Sequence, residues 1–126
     1  MSDRYRGVLQ LESLNNTEVF PYLNLRPIKT RRGYNPEADA KHRIVLIVDT
    51  PADDIQSTTE RLSKELRPGW HALFWNDAGK HVVFRGKVFE LPLKEEDAPE
   101  KYAEARRHGT ADGVQVQYLG FQPPVH

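Results

Sequence analysis

The chain of 126 residues contains no cysteine, which excludes disulfide frameworks, thiolate nucleophiles, iron–sulfur clusters and cysteine-rich zinc sites. It also lacks an excess of one charge: 18 Lys and Arg balance 18 Asp and Glu, for a formal net charge of zero. A general binder of nucleic acid or of membrane surfaces carries a clear positive excess, so nucleic acid is not an expected partner. Long hydrophobic runs are missing as well. The longest strongly apolar stretch, Ile44 to Val48, is five residues, against the ~20 that span a bilayer. The opening Met-Ser-Asp-Arg-Tyr-Arg lacks the apolar run of a secretory signal. No membrane association is expected, and a cytoplasmic location is the default. The glycines are scattered rather than gathered into a phosphate-cradling loop, and there is no Gly-x-Ser-x-Gly elbow. No segment repeats at a fixed period.

What is present suits a single α+β domain spanning residues 1–126, with 38% apolar and 10% aromatic residues to fill a core. Residues 1–25 read as an N-terminal β-hairpin. Val8, Leu9, Leu11 and Leu14, then Val19, Phe20, Tyr22, Leu23 and Leu25, flank an Asn15-Asn16 turn, and Pro21 makes the second strand an edge or a bulge. Residues 26–43 read as a basic loop. Pro27, Gly33 and Pro36 break any periodicity there, while Arg26, Lys29, Arg31, Arg32, Lys41 and Arg43 outnumber Glu37 and Asp39. Arg31 and Arg32 are its candidate anion-binding residues. The alternatives are a solvated connector, or pairing with the acidic Glu90–Glu104 region of this chain or of a second copy.

From Ile44 the pattern is regular. Ile44–Val48 has the continuous apolar character of a strand covered on both faces. Thr50 is placed to cap a helix with Pro51 at its first position, and Ile55, Thr59, Leu62 and Leu66 fall on one helical face. Trp70–Trp75 and His81–Leu91 read as strands joined by Asn76-Asp77-Ala78-Gly79. Glu95–Arg107 reads as a helix stopped by Gly109, and Val114–Tyr118 alternates as a half-buried strand. The order strand, helix, strand, strand, helix, strand over residues 44–120 is the ferredoxin-like βαββαβ arrangement, followed by a tail at 121–126. Its crossover rule places Ile44–Val48 and His81–Leu91 side by side at the centre of a four-stranded sheet, with both helices on one face.

The hairpin around Asn76 carries the candidate ligand-binding residues. A three-residue loop with Asn76 opposite Lys80 sets Trp75 against His81, Leu73 against Val83 and His71 against Arg85, all on the face away from the helices. His71, Trp75, His81 and Arg85 would then line a pocket of apolar walls and a few orienting polar groups. The competing reading makes them ordinary cross-strand neighbours. Metal is not expected: the five histidines include no His-x-x-x-His pair. The paired carboxylates at Asp53-Asp54 and Glu95-Glu96-Asp97 sit at helix starts, where dipole compensation explains them.

The same element order occurs in the RNA recognition motif, whose third strand carries a basic residue, Gly and then stacking aromatics. Arg85-Gly86-Lys87-Val88-Phe89 keeps only the Arg-Gly start and one ring, and Ile44–Val48 offers none. Two classes of function stay open. The first is a non-enzymatic binding or protein-interaction module, whose bare face or edge strands meet another protein or a second copy. The second is a small-molecule-binding protein or an enzyme, with His71 or His81 moving a proton and Arg85 holding an anion. No cofactor is implied by either.

Overall fold

The apolar run Ile44–Val48 is the middle of a longer strand, β3 (His42–Pro51), and two other strands flank it. The computed structural model describes residues 4–10, 13–15, 25–34, 42–114 and 119–121, with the backbone alone at 31–34 and 42–44. Its strands are β1 (Arg4–Gln10), β2 (Arg26–Tyr34), β3, β4 (His71–Asn76), β5 (Gly79–Phe84) and β6 (Lys87–Leu91). They form one six-stranded antiparallel sheet in the order β2-β3-β1-β4-β5-β6. Helix α1 (Ile55–Glu65) follows β3 after a single 3₁₀ turn, and helix α2 (Pro99–Ala111) follows β6 after another.

The architecture is α+β, and its sheet differs from the expected ferredoxin-like order. β1 lies between β3 and β4, so Ile44–Val48 and His81–Phe84 are not neighbours. The cause is in β1 itself. Its burial alternates, with Tyr5, Gly7 and Leu9 inward, and both its edges are bonded: Val8 pairs with Ile47 on one side and with Leu73 on the other. The amino-terminal strand is thus the middle of the sheet and not an addition to it. Residues 19–24, the larger part of the expected hairpin's second strand, lie outside the described residues, as do 115–118 of the expected last strand.

Three further expectations are corrected. Residues 26–34 of the supposed basic loop are β2, paired along β3 with a bulge between Pro27 and Lys29. As an edge strand, β2 tolerates the Pro and Gly that had suggested a loop. The run His81–Leu91 is two strands, because Arg85-Gly86 forms a two-residue turn with Gly86 at φ +79°. Finally, the helices lie on opposite faces. Ile55 and Leu62 of α1 pack with Tyr5, Leu9, Val48, Phe74 and Val83, whereas Tyr102 and Ala105 of α2 pack with Leu73, Val82, Phe84 and Leu91. All six residues of β5 are buried as a result.

Helix boundaries shift for local reasons. Pro51 is extended (φ −58°, ψ 141°) and still pairs with Arg4, so Thr50 stays in the strand and does not cap α1. Gly109 does not stop α2. It sits inside the helix where a Cβ would come within 2.9 Å of the Phe84 ring, and Gly113 (φ +98°) follows the helix end instead.

Candidate functional site

The register of the β4–β5 hairpin decides which of the expected site residues meet. Asn76 Oδ1 accepts hydrogen bonds from the backbone N–H of Ala78 (2.8 Å) and Gly79 (3.3 Å). This side-chain turn closes a two-residue loop, and Asn76 pairs with Gly79 rather than with Lys80. The one-residue difference moves every partner: Trp75 faces Lys80, Phe74 faces His81 and His71 faces Phe84. His71 and Trp75 therefore lie on the α2 face and His81 on the α1 face, so the four candidates share no surface. His71 stacks on Phe84 with ring centroids 5.8 Å apart and meets Phe121 edge-on. Arg85 is exposed in the β5–β6 turn, its Nη2 3.5 Å from Asp112 Oδ1. Arg31 and Arg32 occupy successive positions of β2 opposite Val45 and Ile44.

His81 lines a cavity. This cavity, of about 370 Å³, runs along β6 between the two helices. Gln56, Thr59 and Glu60 of α1 form one wall, Lys101 and Glu104 of α2 the other, and Lys87–Glu90 the floor. Side chains alternate across the floor, so Val88 and Glu90 lie on the α1 side with His81, and Lys87 and Phe89 on the α2 side. Eight of its ten lining residues are polar, Val88 and Phe89 being the exceptions. Sites for drug-like molecules are lined mainly by apolar and aromatic groups, and this one is not.

Backbone geometry adds to the floor. Phe84 and Lys87 close the Arg85-Gly86 turn, so they exchange backbone hydrogen bonds, and the alternation of an antiparallel ladder repeats this at Val82–Phe89 and Lys80–Leu91. The N–H and C=O groups of Val88 and Glu90 then point away from β5, toward the open edge. Among the described residues no strand pairs with that edge. Both registers are set by the lengths of the two turns. The Arg-Gly dipeptide inside an eleven-residue run is the signal that marks β6 as a separate strand.

The imidazole of His81 is nine-tenths buried, and its Nε2 lies 3.1 Å from Glu90 Oε1. Tyr5 meets its ring edge-on at 5.1 Å. Burial pushes the His81 pKa down from its ordinary value; the charge and hydrogen bond of Glu90 oppose this without overcoming it. A neutral ring donating from Nε2 to Glu90 leaves Nδ1 as the basic nitrogen, and Nδ1 is buried with no hydrogen-bond partner. A general base must present its lone pair to a substrate. Here that lone pair is enclosed, and Nε2 is already held by Glu90.

Two charged clusters went unnoticed in the sequence. Asp49 is buried on the α2 face, where Arg4 from β1 (2.8 Å) and Arg26 from β2 (2.6 Å) each bind one of its oxygens. Burial raises its pKa, but the hydrogen bonds and charges of the two guanidinium groups outweigh that and hold it below the ordinary carboxylate value. Lys80 is also buried. Its Nζ donates to the Phe121 carbonyl at 2.7 Å and lies 5.4 Å from the Tyr102 ring centroid. Cross-strand register assembles the Asp49 group, the packing of Tyr102 and Phe121 against β5 assembles the Lys80 group, and within each group no residue is near another in sequence.

No described helix is long and apolar enough to cross a membrane. Among the described residues no three His, Asp or Glu side chains gather as a metal-binding group. No protein-family model, curated protein or solved structure matches this chain.

Proposed function

We propose that this chain is a non-enzymatic protein-interaction module that takes an extended segment of a partner along the open edge of β6. The observation that carries the reading is the coincidence of a strand edge that no strand pairs with among the described residues and a cavity walled by a helix on each side. An added strand gains main-chain hydrogen bonds from the edge, and side-chain selectivity from the walls on alternate faces. The opposite edge suits this role poorly. β2 carries Pro27 and a bulge, devices that discourage pairing, whereas β6 runs in continuous register without Pro. Enclosure of His81 Nδ1 counts against a proton-transferring site at the same place.

The test begins with amide hydrogen exchange on the free protein. Val88 and Glu90 amides should exchange faster than those of Lys87, Phe89 and Leu91, which are bonded into the sheet. Peptides selected from a displayed random heptapeptide library should then protect Val88 and Glu90 on binding. Val88→Pro, which removes one outward donor at an edge that tolerates it, should weaken them at least tenfold while the thermal transition persists. Failure to select any peptide, or selected peptides that leave both amides exchanging freely, would sink the reading.

A further inference from the structure

The two walls of the β6 cavity differ in charge, and strand alternation turns that difference into a sequence preference. On the α1 side stand Glu60 and Glu90, two negative charges; on the α2 side stand Lys87 and Lys101, offset by Glu104, a net single positive charge. Resting on the edge-pairing reading above, we infer that the segment bound along β6 is one of alternating charge, with basic residues toward α1 and acidic residues toward α2. An incoming strand has the same pleat as β6, so residues opposite Val88 and Glu90 point toward Glu60, and those opposite Lys87 and Phe89 point toward Lys101. A run such as Lys-Glu-Lys-Glu places every charge against its opposite. Its alternation reads the same way in either chain direction, so the preference does not depend on whether the added strand is parallel or antiparallel. A block of like charges cannot do this, since half of its side chains must face the wrong wall.

The experiment compares two fluorescently labelled peptides of identical composition, acetyl-Thr-Val-Lys-Glu-Lys-Glu-Val-Thr-amide and acetyl-Thr-Val-Lys-Lys-Glu-Glu-Val-Thr-amide, titrated with the full chain at low salt. Two to three favourable cross-strand charge pairs correspond to roughly five- to tenfold tighter binding of the alternating peptide. That ratio should fall toward one in 1 M NaCl, and in Glu60→Gln and Lys101→Gln, both exposed positions whose replacement leaves the fold intact. Equal binding of the two peptides with protection of the Val88 and Glu90 amides overturns the charge preference and leaves the edge-pairing reading standing. Absence of binding by both, while library-selected peptides still bind, likewise overturns the charge preference alone. If library peptides fail as well, both fall together.

Discussion

Gly7 of β1 and Phe74 of β4 face each other across the sheet, and ring carbons of Phe74 occupy the space that a Cβ on Gly7 would need. The glycine is thus what lets a fully buried aromatic ring lie over the strand at the centre of the sheet. Gly7→Ala forces either the ring or the strand to move, and overpacking of this kind costs about 1–3 kcal/mol. A urea titration should show the midpoint falling with an unchanged slope. An unaltered midpoint would mean that Phe74 has another place to go.

The Asp49 clamp predicts a specific acid response. A carboxyl whose pKa is lowered in the fold contributes stability above its ordinary value of 3.8, and that contribution disappears as pH falls through the lower folded value. At neutral pH Asp49→Asn should cost about 1.5–3 kcal/mol, the range for hydrogen bonds to charged groups. The gap between the two proteins should hold steady down to about pH 4 and close below it. A constant gap at all pH values would show that Arg4 and Arg26 do not sense the charge.

His81 acts in the same direction as Asp49, in a higher pH range. Its folded pKa lies below the ordinary 6.5, so the unfolded chain binds the proton first and stability declines as pH drops below that value. Melting temperatures of the native chain should fall between pH 7.5 and pH 5 by more than those of His81→Gln, which has no proton to take up. Equal declines would place the pH dependence elsewhere.

Lys80 holds a carbonyl whose own residue, Phe121, has a positive φ of 55°. Lys80→Met keeps most of the side-chain volume and removes a buried charge, so global stability should change by no more than about 1 kcal/mol. Exchange of the 119–121 amides should nevertheless accelerate, since the tether to β5 is gone. Lys80→Ala leaves a cavity as well and should cost about 2–4 kcal/mol. If the Met variant unfolds as readily as the Ala one, the hydrogen bond matters more than the packing.

Elements whose cause is local were legible in the chain. The apolar run at Ile44–Val48 and the helical spacing of Ile55, Thr59 and Leu62 both appear where periodicity placed them. Legibility failed at turns. Asn76 pairs with Gly79 and not with Lys80 in a turn closed by two hydrogen bonds to one side-chain oxygen, and that register carries His81 to the other face from Trp75. In the same way Gly86 separates β6 from β5, and with it creates the edge on which the proposed function rests.

Alone, the sequence determined the strand at Ile44–Val48, the strands flanking Asn76 and the two helices, and that their apolar faces need cover, because periodicity is written within each segment. Only the tertiary structure decided that β1 sits between β3 and β4, that the helices take opposite faces, and that His81 shares a cavity with Glu60 and Lys101. Those outcomes depend on pairings between residues as far apart as Arg4 and Pro51. Such pairings are chosen by the free energy of the whole sheet, so no stretch of neighbouring residues encodes them by itself.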